Sequence, residues 1–251
     1  MKHYNAELIA VGTELLPGNI ANTDAQMLSE GLSALGIDVY YHTVVGDNPR
    51  RLREALEIAR KRADVIITTG GLGPTYDDLT KQTICETFGR ELVLHEDIWQ
   101  GIQDYFSRRM HRPIPQNNIQ QAYLPVNCTV FDNPVGTAPG CGFEEDGVHV
   151  LMLPGPPFEC RYMFENRAVS YLQSRTDEKI FSHEIRIFGR GESQVEEDLH
   201  VLLHGGDGDE FEAAVGVLVA GGQVGAGEAP VGEGGAVGAA PEGHGAGREP
   251  G

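Results

Sequence analysis

Short, β-rich apolar runs alternate with longer stretches of helical spacing through the first 200 residues, and that alternation predicts a parallel α/β sheet. AELIAVG (6–12) reads as a first strand. Residues 24–35 place Met27, Leu28, Leu32 and Leu35 on one helical face and stop at Gly36, after which IDVYYHTVV (37–45) reads as a second strand. Pro49 opens a helix at its first turn, with Leu52, Leu56 and Ala59 inward. DVIITTGG then gives a buried strand running straight into the loop TTGGLGPTYDD (68–78). Two more helices are expected over 78–88 and 96–110, with a short strand ELVL between them and a turn at HRPIPQNN after them. From Tyr123 the texture changes to short strands: YLPVNCTVF, NPVGTAPGCGF, and a hairpin EEDGVHVLML turning at Asp146-Gly147. A helix over 158–173, a strand KIFSHEIRIFG and a helix starting in ESQVEEDLHVLLH complete the readable portion.

The pattern then stops. Of the 47 residues from 205 to 251, 16 are glycine and 39 are Gly, Ala, Val, Asp or Glu, the residues whose codons begin with guanine. No periodicity survives beyond Val219, so a disordered tail is expected. A natural flexible linker and an out-of-frame translation of GC-rich DNA starting near Leu203 both fit this composition. The expected division is a folded domain over 1–203 and a tail over 204–251.

Composition narrows the partners. With 37 acidic against 19 basic residues the formal net charge is -18, which repels nucleic acid and anionic membrane surfaces. A phosphate ligand must then be held locally, by backbone or metal. The four cysteines, Cys85, Cys128, Cys141 and Cys160, show no zinc spacing and read as reduced, mostly buried thiols of a cytoplasmic protein. The N-terminal apolar run is cut by Gly12 and Glu14, so it reads as a strand and not as a signal peptide or membrane span.

The loop TTGGLGPTYDD is the richest candidate for chemistry. Its glycines can take positive φ and let backbone N–H groups converge on an anion, while Thr69 and Thr75 offer hydroxyl donors. It matches neither the P-loop nor the dinucleotide fingerprint, and a bare glycine turn after a strand is more often only a turn. Asp77 and Asp78 alter that balance, because two carboxylates beside a phosphate cradle repel the ligand unless a cation or proton lies between them. Magnesium or manganese would suit carboxylate and phosphate oxygens together. One aspartate also fits as the N-cap of a helix starting at Leu79, and the residues alone do not assign the two roles.

Three other loops follow or precede strands in the same manner. VGTELLPGNIANTD (11–24) offers Glu14, Asn19, Asn22 and Thr23; NPVGTAPG (133–140) offers Thr137 and free backbone; LPGPPFE (153–159) offers Gly155 and Glu159. Turn chemistry explains any one of them, but four at a common sheet edge point to a site. The histidines are scattered without partners, and no serine elbow or Cys/His pair suggests a covalent nucleophile.

Taken together and in order, TGGLGPTYDDLT, NPVGTAPG, LPGPPFE and VGTELLPGNIANTD resemble the N-terminal domain of the CinA family of competence/damage-inducible proteins, over about residues 6–200. That domain belongs to the molybdopterin-binding superfamily of MoaB and Mog proteins. The resemblance implies a three-layer α/β/α sandwich with a mostly parallel sheet, usually a homodimer. It also implies hydrolysis of ADP-ribose to AMP and ribose 5-phosphate with a divalent cation (magnesium, manganese or cobalt), together with potassium. Carried over to these residues, the diphosphate would lie on Gly70, Gly71 and Gly73 beside Leu72, with Asp77 and Asp78 toward the metal as the catalytic pair. Thr137, Gly140 and Gly155 would line the opposite wall, and the implied substrate-binding set also takes in Glu14, Asn22, Thr69, Thr75, Asn133, Gly136, Ala138, Pro154, Pro156 and Glu159. Molybdopterin binding or adenylyl transfer, and a non-catalytic nucleotide-binding module, share the same loops. Two positions depart from the family pattern: Cys160 where methionine is common and Asp24 where asparagine is usual. Members of the family continue into a nicotinamide mononucleotide amidohydrolase domain, whose activity is not expected of this chain.

Overall fold

The computed structural model describes residues 4–175 except Asn19 and Arg112, together with Gln194. All of its described elements lie in one compact unit, Met1–Glu184. Apart from Gln194, the strand and helix expected beyond residue 178, the domain boundary at 203 and the tail all fall outside the described residues.

Strand β1 (Tyr4–Val11) is followed by α1 (Thr23–Ser33), β2 (Ile37–Val45), α2 (Pro49–Ala59) and β3 (Val65–Thr69). Next come α3 (Thr80–Phe88), β4 (Leu92–Leu94), α4 (Glu96–Tyr105), β5 (Tyr123–Pro125), β6 (Thr129–Phe131), β7 (Gly140–Glu145) and β8 (Val148–Leu153). The last rod is α5 (Pro157–Met163) and α6 (Val169–Gln173), joined by a π-helical stretch over Phe164–Ala168. Six strands form one sheet in the order β2-β1-β3-β8-β7-β6. The first four run parallel and β7 pairs antiparallel with both β8 and β6, so the sheet is mixed with a parallel majority.

Strand alternation sorts the core into two layers. Ile9, Val11, Ile66, Val150 and Met152 pack against Leu52, Leu56, Ile84 and Phe88 of α2 and α3. On the other face Leu8, Ile67, Leu151 and Leu153 meet Leu28 and Leu32 of α1 and Met163, Phe164 and Leu172 of the last rod. Each such side chain, fully buried, contributes about 1.5–3 kcal/mol of hydrophobic stabilisation. The expected α/β/α sandwich is therefore what the chain adopts.

Three local expectations are corrected. YLPVNCTVF is not one strand: β5 pairs with β4 in a separate two-stranded sheet, while β6 joins β7 in the main one. Between them Asn127 takes φ 57° and the Cys128 N–H donates to the Pro125 carbonyl, a turn that redirects the chain. HRPIPQNN does not end in a simple turn, since residues Gln116–Ala122 wind into a 3-10 helix. Neither aspartate caps α3: the cap residue is Leu79, which supplies no side-chain bond. The hairpin turn at Asp146-Gly147 does form, with φ 52° and 79°, as the paired positive φ of a tight two-residue turn requires.

Candidate active site

Because β1, β3 and β8 are adjacent and parallel, the loops that follow them leave the sheet at one edge. The loop from β6 to β7 returns to that same edge, since β7 runs antiparallel to β8. The four loops enclose a cavity of about 580 Å³.

At its centre the loops meet backbone to backbone. Gly70 sits at φ 90°, and a Cβ there would come within 2.1 Å of the Val11 carbonyl oxygen. Gly155 packs on it from the third loop, its own Cβ position 3.2 Å from the Gly70 Cα. Gly71, at φ 66°, leaves room for the Thr80 hydroxyl, 2.0 Å from where a Cβ would lie. The N–H of Gly70 donates to the Leu153 carbonyl, whereas those of Gly71, Leu72 and Gly73 donate to no acceptor among the described residues. Three successive amide donors thus remain for a ligand at the cavity wall.

Asp78 stands directly beside them. Its Oδ2 accepts from the Thr75 backbone N–H at 2.8 Å and from the Thr75 hydroxyl, and it lies where a Cβ on Gly73 would be, 2.5 Å away. Oδ1 takes no donor among the described residues. Asp77 is exposed, and its side chain makes no hydrogen bond among the described residues. No group of three or more His, Cys, Asp or Glu among the described residues could hold a metal ion by itself. A hard divalent cation of the magnesium type still fits, since it is commonly held by one or two carboxylates with substrate phosphate and water completing its shell.

Of the other residues singled out from sequence, Glu14, Asn22, Thr69, Gly70, Gly71, Leu72, Gly73, Thr137, Ala138, Pro154, Gly155, Pro156 and Glu159 line the cavity with the two aspartates. Asn22 also caps α1, accepting from the Ala25 N–H at 3.1 Å. Thr75, Asn133, Gly136 and Gly140 lie outside the lining. The Thr75 donors are spent on Asp78, and Asn133 ties the Ala138 carbonyl (2.9 Å) to Glu159 (2.6 Å). Gly136 is glycine because a Cβ would lie 2.0 Å from the Glu159 carboxylate, and Gly140 because it would strike Met163 and the Met152 carbonyl. Asn19 is outside the described residues.

Sequence reasoning missed several members of the site. Gln121, 2% exposed, lines the cavity and donates to the Thr137 hydroxyl at 3.1 Å. Lys81 holds that segment in place, its buried ammonium donating to the carbonyls of Gln120 and Gln121 at 2.9 and 3.1 Å, and burial pulls it down to about 8. Asp47 lines the cavity too and exchanges hydrogen bonds with Thr13, accepting at 2.9 Å and donating at 3.0 Å. Asp24, noted in the sequence only as a departure, is a buried part of the wall.

The site is thus a glycine-lined cavity at one edge of a mixed α/β sheet, closed by the loops that meet there. The sequence matches the family described as "Probable molybdopterin binding domain" over residues 7–174. It is 52% identical over 199 residues to a competence-damage inducible protein of Acetivibrio thermocellus, covering 79% of this chain and 48% of that one. A protein of the same name from Bacillus cereus is 51% identical over 202 residues, covering 80% and 49%. The crystal structure of CinA from Thermoplasma acidophilum, described there as of unknown function, superposes with a TM-score of 0.61 at 32% identity, covering 66% of this chain and 97% of that one. The chain therefore belongs to the CinA family, with a molybdopterin-binding-type domain. It spans about half the length of the curated relatives it matches. The four cysteines are free thiols, three of them buried, and among the described residues no helix is long and apolar enough to cross a membrane.

Proposed function

We propose that this domain hydrolyses the diphosphate of ADP-ribose to AMP and ribose 5-phosphate with the help of a divalent cation. The observation that carries the reading is the pairing of three unused backbone donors, on Gly71, Leu72 and Gly73, with a carboxylate whose Oδ1 is also unused. Amides alone would suit any anion, and the carboxylate alone would repel one. Side by side they suit a phosphate that arrives with a cation.

Asp78, fixed by Thr75, and Asp77 would hold that cation, which when bound supplies charge neutralisation at the diphosphate oxygens. The chain's own contribution is positioning and charge. The amides of the glycine loop stabilise the negative charge that grows on the phosphoryl oxygens as water attacks phosphorus. Asp77, exposed and free of hydrogen bonds, takes the proton released from the attacking water. Gln121 fixes the Thr137 hydroxyl, which faces the diphosphate from the far wall.

The family description favours a second reading, in which the cavity binds a molybdopterin and its phosphate occupies the same amides. The whole chain incubated with ADP-ribose and magnesium, manganese or cobalt separates the two. AMP release that falls at least a hundredfold in Asp78→Ala supports the hydrolase; tight molybdopterin binding with no AMP under any metal removes it.

A further inference from the structure

The cavity holds a second group of carboxylates that diphosphate binding does not use. Asp24, the second residue of α1, is 8% exposed and lines the cavity. It receives no hydrogen bond and has no ion-pair partner within 4 Å among the described residues. Glu159, near the start of α5, lines the same cavity. Its Oε2 accepts from the Asn133 amide at 2.6 Å, while Oε1 has no donor among the described residues. Asp24 lies within electrostatic reach of Arg161, two residues beyond Glu159, and that arginine pairs instead with Glu165 at 3.5 Å. Burial pushes Asp24 up to about 6 and also raises Glu159, against the lowering effect of Arg161 on the first and of Asn133 on the second.

The Asp24 oxygens and Glu159 Oε1 take no donor from the described residues and open onto the cavity, where only water can answer them. A donor-rich ligand that reaches this wall exchanges that water for directed bonds. Phosphate is excluded, since it brings negative charge to two carboxyls. An ammonium is disfavoured, because Asp24 sits in the first turn of the eleven-residue α1, whose partial positive charge opposes a cation there. Hydroxyl groups are neutral, donate, and form short strong bonds to carboxylates. We propose that Asp24 and Glu159 form a subsite for the vicinal hydroxyls of a pentose whose phosphate lies on the glycine loop. The proposal rests on the diphosphate reading for that phosphate, but not on turnover.

The test is equilibrium binding by titration calorimetry to the whole chain, with ribose 5-phosphate, 2-deoxyribose 5-phosphate and inorganic pyrophosphate as probes. The parent should bind ribose 5-phosphate at least tenfold tighter than the deoxy sugar. Asp24→Asn should bring that ratio below three while leaving pyrophosphate affinity within twofold, with a thermal midpoint no lower than the parent's. Glu159→Gln should lower the ratio in the same direction, and it decides the matter should Asp24→Asn fail to fold. Equal affinity of the parent for the two sugars, no binding of either, an unchanged ratio in the variants, or a parallel loss of pyrophosphate would each overturn the subsite. Sugar discrimination without AMP release from ADP-ribose would leave the subsite standing and remove the hydrolase; AMP release without discrimination would do the reverse.

Discussion

Glu7 and Asp24 are both buried carboxylates, one on each face of the same sheet, and the protein treats them in opposite ways. Glu7 on β1 is 1% exposed and fully engaged: Arg62 donates to both of its oxygens at 2.9 Å and the Thr43 hydroxyl donates at 2.7 Å. Arg62 is itself stacked 3.5 Å from the centre of the Tyr41 ring. Asp24 is 8% exposed and receives no hydrogen bond among the described residues. A buried charge with both oxygens answered is part of the architecture. One left open toward a cavity is part of a binding site, its desolvation offset only when a ligand arrives.

The strongest test of this contrast breaks the closed end. Arg62→Ala leaves Glu7 buried with only a hydroxyl, and it should lower unfolding stability more than either of the changes below, though by less than the loss of a wholly buried pair because the Arg62 side chain is 34% exposed. Urea denaturation of the single variant and of Arg62→Ala combined with Glu7→Gln measures it. The double variant should recover more than half of the loss, since the uncompensated charge is gone. Equal losses in the two would mean that packing of the Arg62 stem on Tyr41, and not charge, is what matters.

At the open end the sign reverses. Asp24 ordinarily titrates near 3.8 and is pushed up to about 6 in the fold, so the folded state favours its neutral form. Below 3.8 the carboxyl is protonated in folded and unfolded chains alike, and its favourable linkage is fully present. That contribution is lost as pH rises through about 6. Asp24→Asn should therefore stabilise the protein by about 2 kcal/mol at pH 8 and by almost nothing at pH 4, read as the difference in thermal midpoint between the two proteins across that range. A stabilisation independent of pH, or a loss at pH 8, would place Asp24 among the structural carboxylates beside Glu7. A substitution that raises stability while weakening the ligand is the usual mark of a functional group.

The contrast also explains what the sequence could reveal. The sheet was legible because apolar runs such as DVIITT can only be buried strands, and because Gly36, Pro49 and Gly89 punctuate the helices. The loops were legible as a group, since each is glycine- or proline-rich at a strand end and a parallel sheet sends such loops to one edge. Glu7 was not, because an acidic residue inside AELIAVG is explained only by Arg62, 55 residues away. Gln121 was hidden for a similar reason: QNNIQQA has no apolar face, and only the buried Lys81, 40 residues earlier, fixes it at the cavity. The split of YLPVNCTVF depends on which strand each half pairs with, and local periodicity carries no such information. One of Asp77 and Asp78 read as a helix cap because caps follow local spacing, and neither is one. The bonds of Asp78 instead run back to Thr75, in a turn beside the cavity.

Asp78 thus stands between the two extremes, with Oδ2 answered by Thr75 and Oδ1 open. Thr75→Val removes the hydroxyl donor while keeping the branched shape and the backbone N–H, so it probes how much the half-closed state matters. Thr75 is exposed, and the stability change should be under about 1 kcal/mol, the smallest effect of the three. If the remaining donor fixes Asp78 well enough, AMP release would also be unchanged, and the hydroxyl would be incidental. If orientation of Oδ1 depends on both donors, AMP release should fall about tenfold and regain most of its rate at high cation concentration, because a wandering carboxylate weakens cation affinity more than it alters the bound geometry. A tenfold loss that cation cannot restore would instead assign the Thr75 hydroxyl to the substrate, and Asp78 would join Glu7 as a carboxylate whose hydrogen bonds serve the fold alone.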